Sequence, residues 1–333
     1  MNANRCTVRL LRTLFVAVWF LGGWSVAWGQ EKVTLRLDFI PNGYHGPFYV
    51  ALDKGYYREE GLDVQIGRGF GSVDTIKRVD AGADTFGFAD FYTAVKGIAE
   101  GVKVRAIGAG LGDSVSCIVA LRKSGIRTIK DLEGRSLAAS ASGAFLLQLP
   151  SVLKAAGVDM SKVKVVLMDG VVKSSALVAG KVDTISCLTV SEVPALLSQG
   201  QDIVAFEYRD YISIMGLGII AAEATIRTRP ELIRKFLKAS YRGARDFARE
   251  PAAASAILVR YHPEGSADSY TGQAKASVGF WATAVAKQRG FGWMENAKMR
   301  NTMEQATRAF QLEGKITAGD FYTNEFVPDP PIR

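Results

Sequence analysis

The chain has 333 residues, 48% of them hydrophobic and 22% charged, and a formal net charge of +8. Such a length suits about two domains, and the composition excludes a disordered or collagen-like chain. Its 41 Lys and Arg residues are scattered rather than gathered into a stripe, so they read as solvated surface and argue against nucleic-acid binding.

At the N-terminus, Arg5, Arg9 and Arg12 precede the apolar run 14–21, and Ala27–Trp28–Gly29 supplies small residues just before Gln30. This pattern predicts a cleavable export signal over residues 1–29 and a periplasmic location. Gly22, Gly23 and Ser25 break the run before it reaches the roughly 20 apolar residues of a membrane span. Cys6 lies among the charges and not after a small-residue box, so no lipid anchor is expected. Cleavage leaves Cys117 and Cys187: an oxidising compartment permits one disulfide, but the reading here is two separate buried strand cysteines.

From Val33 onward, short apolar runs alternate with amphipathic stretches, the pattern of βαβ units and a mainly parallel sheet. Strands are predicted near 33–39, 62–66, 85–89 and 103–109, with helices near 46–58, 72–82 and 90–100. A second series follows, with strands near 117–122, 136–140, 163–168, 183–188 and 203–207 and helices near 143–156, 172–180 and 190–199. The series echo each other: Ala81–Gly82–Ala83–Asp84–Thr85 resembles Ala179–Gly180–Lys181–Val182–Asp183–Thr184, each placing a glycine at a helix end just ahead of a strand.

After a strand near 214–221 the chain reads as helical, near 230–249, 251–260, 267–288 and 297–313. A helical tail of that length must pack on something already built. The expected architecture is therefore two α/β lobes, 30–114 plus 215–333 and 115–214, each a doubly wound and mainly parallel sheet, with the tail on the first. Hinge crossings are expected near 110–117 and 208–216, and a closing cleft at the carboxyl ends of the strands, where open sheets bind ligands.

The stretches LDFIPNGYHGPFYVA (37–51) and KGYYREEGLDVQI (54–66) resemble the opening of type II periplasmic solute-binding proteins of ABC transporters. The resemblance is to the thiamine-pyrimidine-precursor group, related to the sulfonate, taurine and nitrate binders (NMT1/THI5-like). DTFGFAD (84–90), TIKDLEGRSLAAS (128–140), ALVAGKVDTISC (176–187) and RPELIRKFLKA (229–239) keep the family's order and spacing over nearly all of the mature chain. That group's first motif reads Trp-x-Pro-Asn, then His, then Gly-x-Tyr. Here Pro41, Asn42, His45 and Tyr49 match, while Phe39 stands for the Trp and Pro47 for the Gly. The resemblance implies a receptor that captures a small organic solute, an aminopyrimidine or related nitrogen heterocycle, and presents it to an inner-membrane permease as a monomer.

Candidate ligand contacts follow from strand ends. Phe39 can stack on a flat ligand, and Asn42, Tyr44 and His45 offer hydrogen bonds; helix capping is the competing role for Asn42. Asp90 ends one strand and starts a helix, with Tyr92 beside it, so it either faces the cleft or caps the helix. In the second lobe Ser140, Ser142 and Gly143 form a small-residue loop at a helix start, hardware suited to a ligand acceptor. Glu192 stands where the resemblance places a carboxylate that holds an amino group; a favourable first-turn charge is the competing role. Asp90 and Glu192 together favour a donor-bearing or cationic ligand over sulfonate, nitrate or phosphate.

No metal site or cofactor is expected: His45 and His262 are the sole histidines, and no cluster has ligand spacing. Nor does any Ser/His/Asp or Cys/His arrangement suggest an enzyme. The competing enzyme reading comes from the resemblance to the pyrimidine-forming synthase of yeasts. That enzyme carries a cysteine-rich stretch where this chain has Gly216–Leu217–Gly218–Ile219–Ile220. A sulfonate-, taurine- or nitrate-type binder and a sensory module without a transporter also fit a closing cleft of this kind.

Overall fold

The computed structural model describes residues 30–141 and 143–333; the expected export signal over 1–29 and Ser142 lie outside the described residues. One sheet contains β1 (Glu31–Arg36), β2 (Leu62–Gly67), β3 (Phe86–Asp90), β4 (Val104–Ala109) and β10 (Leu217–Ala222). The other contains β5 (Ser116–Leu121), β6 (Ser136–Ala139), β7 (Lys164–Leu167), β8 (Thr184–Leu188) and β9 (Ile203–Glu207).

The strand orders are β2-β1-β3-β10-β4 and β7-β6-β8-β5-β9. In each sheet a single strand, β10 or β5, runs antiparallel to both of its neighbours, so the other strands share one direction. Leaving that strand aside, each sheet has its second strand at the edge, then its first, third and fourth. The predicted echo is thus a repeated topology. Gly82 and Gly180 close the helices that lead into β3 and β8, the third strands, and both adopt φ +69°, a left-handed conformation that favours glycine.

Two expected helices divide. The span 46–58 becomes Gly46–Asp53 and Tyr56–Glu59, because Gly55 turns left-handed at φ +75°. The span 267–288 becomes Ala267–Trp281 and Ala284–Arg289, where Thr283 Oγ1 caps the second helix by accepting the Ala286 N–H at 3.0 Å.

The expectation of two separate buried cysteines is corrected. Because β5 inserts antiparallel beside β8, Cys117 and Cys187 stand directly opposite each other, 4.9 Å apart at Cα, and are joined by a disulfide.

The chain crosses between sheets at 110–115 and 208–216, and the crossings run side by side, with Ser114 N–H donating to Ile214 O at 3.3 Å. The helix Pro230–Arg249 turns Leu232, Phe236 and Phe247 into the first sheet's core. A second connected core includes Phe91 and Ala94 beside the first sheet and Ile118, Leu137 and Leu149 beside the second, so apolar packing runs between them. No helix among the described residues is long and apolar enough to cross a membrane.

Candidate functional site

A cavity lies between the two sheets. Its lining comes from matching places. Asp38 and Phe39 follow β1, Phe70–Ser72 follow β2, and Asp90 ends β3; Ser140 follows β6, Gly170 and Lys173 follow β7, and Ser186–Leu188 end β8. The antiparallel strands supply Ser116 and Leu217 from their amino ends, which lie on the same edge.

Of the residues predicted from sequence, Phe39, Asp90, Ser140, Gly143 and Glu192 line the cavity together, whereas Asn42, Tyr44, His45 and Tyr92 do not. Asn42 caps the turn Gly43–His45, its Oδ1 accepting the Tyr44 N–H at 3.3 Å, and its Nδ2 donates to Ser191 Oγ at 3.4 Å, next to Glu192. Tyr44 and His45 lie fully buried behind Asp38, a cavity residue that the sequence reading missed. Tyr44 donates its hydroxyl to Asp38 Oδ2 at 2.8 Å, and His45 Nε2 stands 2.8 Å from Oδ1. The Asn42 N–H donates to His45 Nδ1 at 3.2 Å, which assigns the ring proton to Nε2 and makes a neutral imidazole the donor to Asp38. Burial, together with the Asp38 charge, pushes the Tyr44 hydroxyl well above its usual range. Tyr92 points elsewhere, with its hydroxyl 3.1 Å from Ser151 Oγ.

Asp90 combines both roles considered for it. Its Oδ1 caps the helix Phe91–Ala99 by accepting the Thr93 N–H at 2.8 Å and the Thr93 hydroxyl at 2.7 Å. It also lines the cavity, and burial lifts its carboxyl from the usual 3.8 to about 6, against the lowering effect of its hydrogen bonds.

On the opposite wall Gly143 precedes the helix Ala144–Ala156 in extended backbone with no side-chain cap, so that helix opens toward the cavity without a covering side chain from Gly143. Glu192 Oε2 accepts the Leu188 N–H at 2.9 Å, and Oε1 pairs at 3.4 Å with Lys173 Nζ. Lys173, also missed, is buried and donates to Ser186 O at 2.7 Å and Ser186 Oγ at 2.8 Å. It begins the helix Lys173–Val178, where a cation opposes the helix dipole, and that mismatch was the signal available for it in sequence. For Asp38 the signal was its place at the carboxyl end of β1, the rule that picked out Asp90 at β3.

Phe39 reaches across the gap: a Cβ added to Gly170 would stand 2.8 Å from its ring, so the second wall keeps only a glycine there. Phe70, 58% exposed, carries the Arg68 guanidinium 4.5 Å from its ring centre. Among the described residues no group of three or more His, Cys, Asp or Glu is placed to hold a metal ion.

This chain is similar to known proteins over most of its length. It is 28% identical to the riboflavin-binding protein RibY of Chloroflexus aurantiacus, over 90% of this chain and 86% of that one. It is 26% identical to the 4-amino-5-hydroxymethyl-2-methylpyrimidine phosphate synthase of Legionella pneumophila, over 91% and 94% of the two chains. It is also 26% identical to the formylaminopyrimidine-binding protein of Halalkalibacterium halodurans, over 77% and 78%. In fold it matches the alkanesulfonate-binding protein SsuA of Xanthomonas axonopodis with a TM-score of 0.68 at 12% identity, covering 88% of this chain and 98% of that one. The NMT1/THI5 like family model matches residues 42–254, and the chain belongs to that family.

Proposed function

We propose that this protein is the periplasmic solute receptor of an ABC-type importer and that it encloses a flat, donor-bearing nitrogen heterocycle of the pyrimidine class between lobes 30–114 plus 215–333 and 115–214. The carrying observation is the lining of the cavity, where Asp38, Asp90 and Glu192 face a single cation, Lys173, whose charge is taken up by Glu192. Carboxylates held by neutral donors accept N–H groups and repel anions, so the chemistry favours a neutral or cationic ring over sulfonate or nitrate. Phe39 and Phe70 offer ring faces, and the start of the helix Ala144–Ala156 offers N–H groups to a ligand acceptor such as a ring carbonyl. Relatives named for binding riboflavin and formylaminopyrimidine, both pyrimidine-containing, fit this chemistry.

A receptor is favoured over an enzyme of the synthase type. Both described cysteines are bound in the disulfide, and His45 is sealed behind Asp38. At the stretch that distinguishes the two, a Cβ on Gly218 would lie 2.2 Å from the Phe91 ring and one on Gly216 would lie 2.1 Å from Asp113 O, so larger residues do not fit. The disulfide also suits an oxidising compartment, in keeping with export.

Calorimetric titration of the mature protein with formylaminopyrimidine, riboflavin, an alkanesulfonate and nitrate tests this reading. Saturable binding of a pyrimidine compound alone is expected. Binding of either anion in preference would replace the reading with an anion receptor, and turnover of a bound pyrimidine would replace it with an enzyme.

A further inference from the structure

Gln148 lies outside the cavity lining yet is tied to both of its walls. It is fully buried on the helix Ala144–Ala156, which the chain builds between β6 and β7 of the second sheet. Its Nε2 donates to Asp90 Oδ2 at 2.9 Å, on the first sheet's wall. Its Oε1 accepts the Ser114 hydroxyl at 3.3 Å, on the first crossing. Ser114 Oγ in turn accepts at 3.4 Å from the N–H of Ser116, a cavity residue. A continuous buried polar chain therefore runs from the acid wall through the second lobe to the hinge.

Asp90 Oδ1 is occupied by Thr93, which leaves Oδ2 as the oxygen with capacity for a ligand donor, and Gln148 is the residue that holds it. We propose that Gln148 is a positioning residue for ligand recognition, a clasp that aims the free edge of Asp90 at the solute. This rests on the receptor reading above. A carboxylate stripped of water is costly unless it is hydrogen-bonded, so a neutral amide from the opposite wall offsets that cost. Glutamine suits the task because either end of its amide can face Asp90: Nε2 donates to the carboxylate, and Oε1 accepts from the protonated acid after a flip, with the Ser114 hydroxyl reversing its role. Among the titratable groups around Asp90, the Asp38 charge raises its carboxyl, the Tyr92 hydroxyl is raised in turn by Asp90, and Lys173 and Glu192 line the same cavity.

The test is Gln148→Glu in the full mature protein, which keeps the shape but sets a second carboxylate against Asp90. Two such groups cannot both ionise and instead share a proton. Thermal melting without ligand is expected to show a loss relative to wild type at pH 8 that largely disappears at pH 5. Riboflavin or formylaminopyrimidine, whichever the wild type binds, should bind the variant about 10- to 100-fold more weakly at pH 8, with most of that loss recovered at pH 5. Gln148→Asn, which shortens the reach but keeps the amide, should weaken binding equally at both pH values. A melting loss of equal size at pH 5 and pH 8 would make Gln148 a packing residue and overturn the proposal, as would undiminished ligand binding in both variants. Should neither probe bind the wild type, the pyrimidine reading fails while the melting comparison still decides the clasp. A glutamate variant that folds only at pH 5 gives the expected result outright; one that folds at neither leaves the asparagine variant to decide by its affinity.

Discussion

The two walls of the cavity hold their acids differently. On the second, Glu192 is bound by an ammonium and a backbone amide, and the strand beside it is stapled to its neighbour by the Cys117–Cys187 disulfide. On the first, no Lys or Arg among the described residues pairs with Asp38 or Asp90: Tyr44, a neutral His45, Thr93 and Gln148 supply their hydrogen bonds. The second wall is thus built for rigidity, whereas the first keeps uncompensated negative charge that a donor-bearing solute can relieve.

The largest effect should come from unpicking the rigid wall. The disulfide closes a loop with a sequence separation of 70, so replacing Cys117 and Cys187 by serine should cost about 4 kcal/mol in urea unfolding. Lys173→Met strands Glu192 in the cavity wall and should cost about 3 kcal/mol, most of it regained in the double variant with Glu192→Gln, since removing one partner of a buried pair is worse than removing both.

On the charged wall Asp90 should answer in the opposite sense. The folded carboxyl of Asp90 is lifted to about 6 from the usual 3.8, so the unfolded chain gives up this proton first as pH rises. The contribution is therefore present below about pH 4 and lost as pH climbs through 6, leaving the native state penalised at neutral pH. Asp90→Asn keeps a capping side chain and removes the charge, so it should match wild type near pH 4 and gain up to about 3 kcal/mol by pH 7.5, as urea unfolding across that range would show. The smallest change is expected for Asp38→Asn, where an amide N–H₂ group confronts the Tyr44 or His45 donor, a loss of about 2 kcal/mol by the same measurement. If Asp90→Asn lost stability at pH 7.5 as Lys173→Met does, the contrast between the walls would be gone.

Much of this contrast was hidden in the sequence for definable reasons. The repeat was legible, since Gly82 and Gly180 carry a local demand for left-handed backbone, and Asp90 was legible because strand end and helix start coincide there. The disulfide was not: it depends on β5 returning antiparallel beside β8, a long-range register that neither strand encodes alone. Asn42, Tyr44 and His45 were read as ligand contacts from their chemistry. Their neighbour Asp38 takes the place on the cavity wall, because a turn of three residues folds Tyr44 and His45 inward behind it. Gln148 gave no local signal at all, its partners lying 58 and 34 residues away.

The central claim, that uncompensated acid on one wall selects a donor-bearing ring, is tested most directly by calorimetry of formylaminopyrimidine and an alkanesulfonate on wild type and the Asp38→Asn/Asp90→Asn pair. The account predicts that wild type binds only the pyrimidine and that the pair weakens it by about 100-fold or more. Sulfonate binding by wild type, or pyrimidine binding unchanged in the pair, would contradict it.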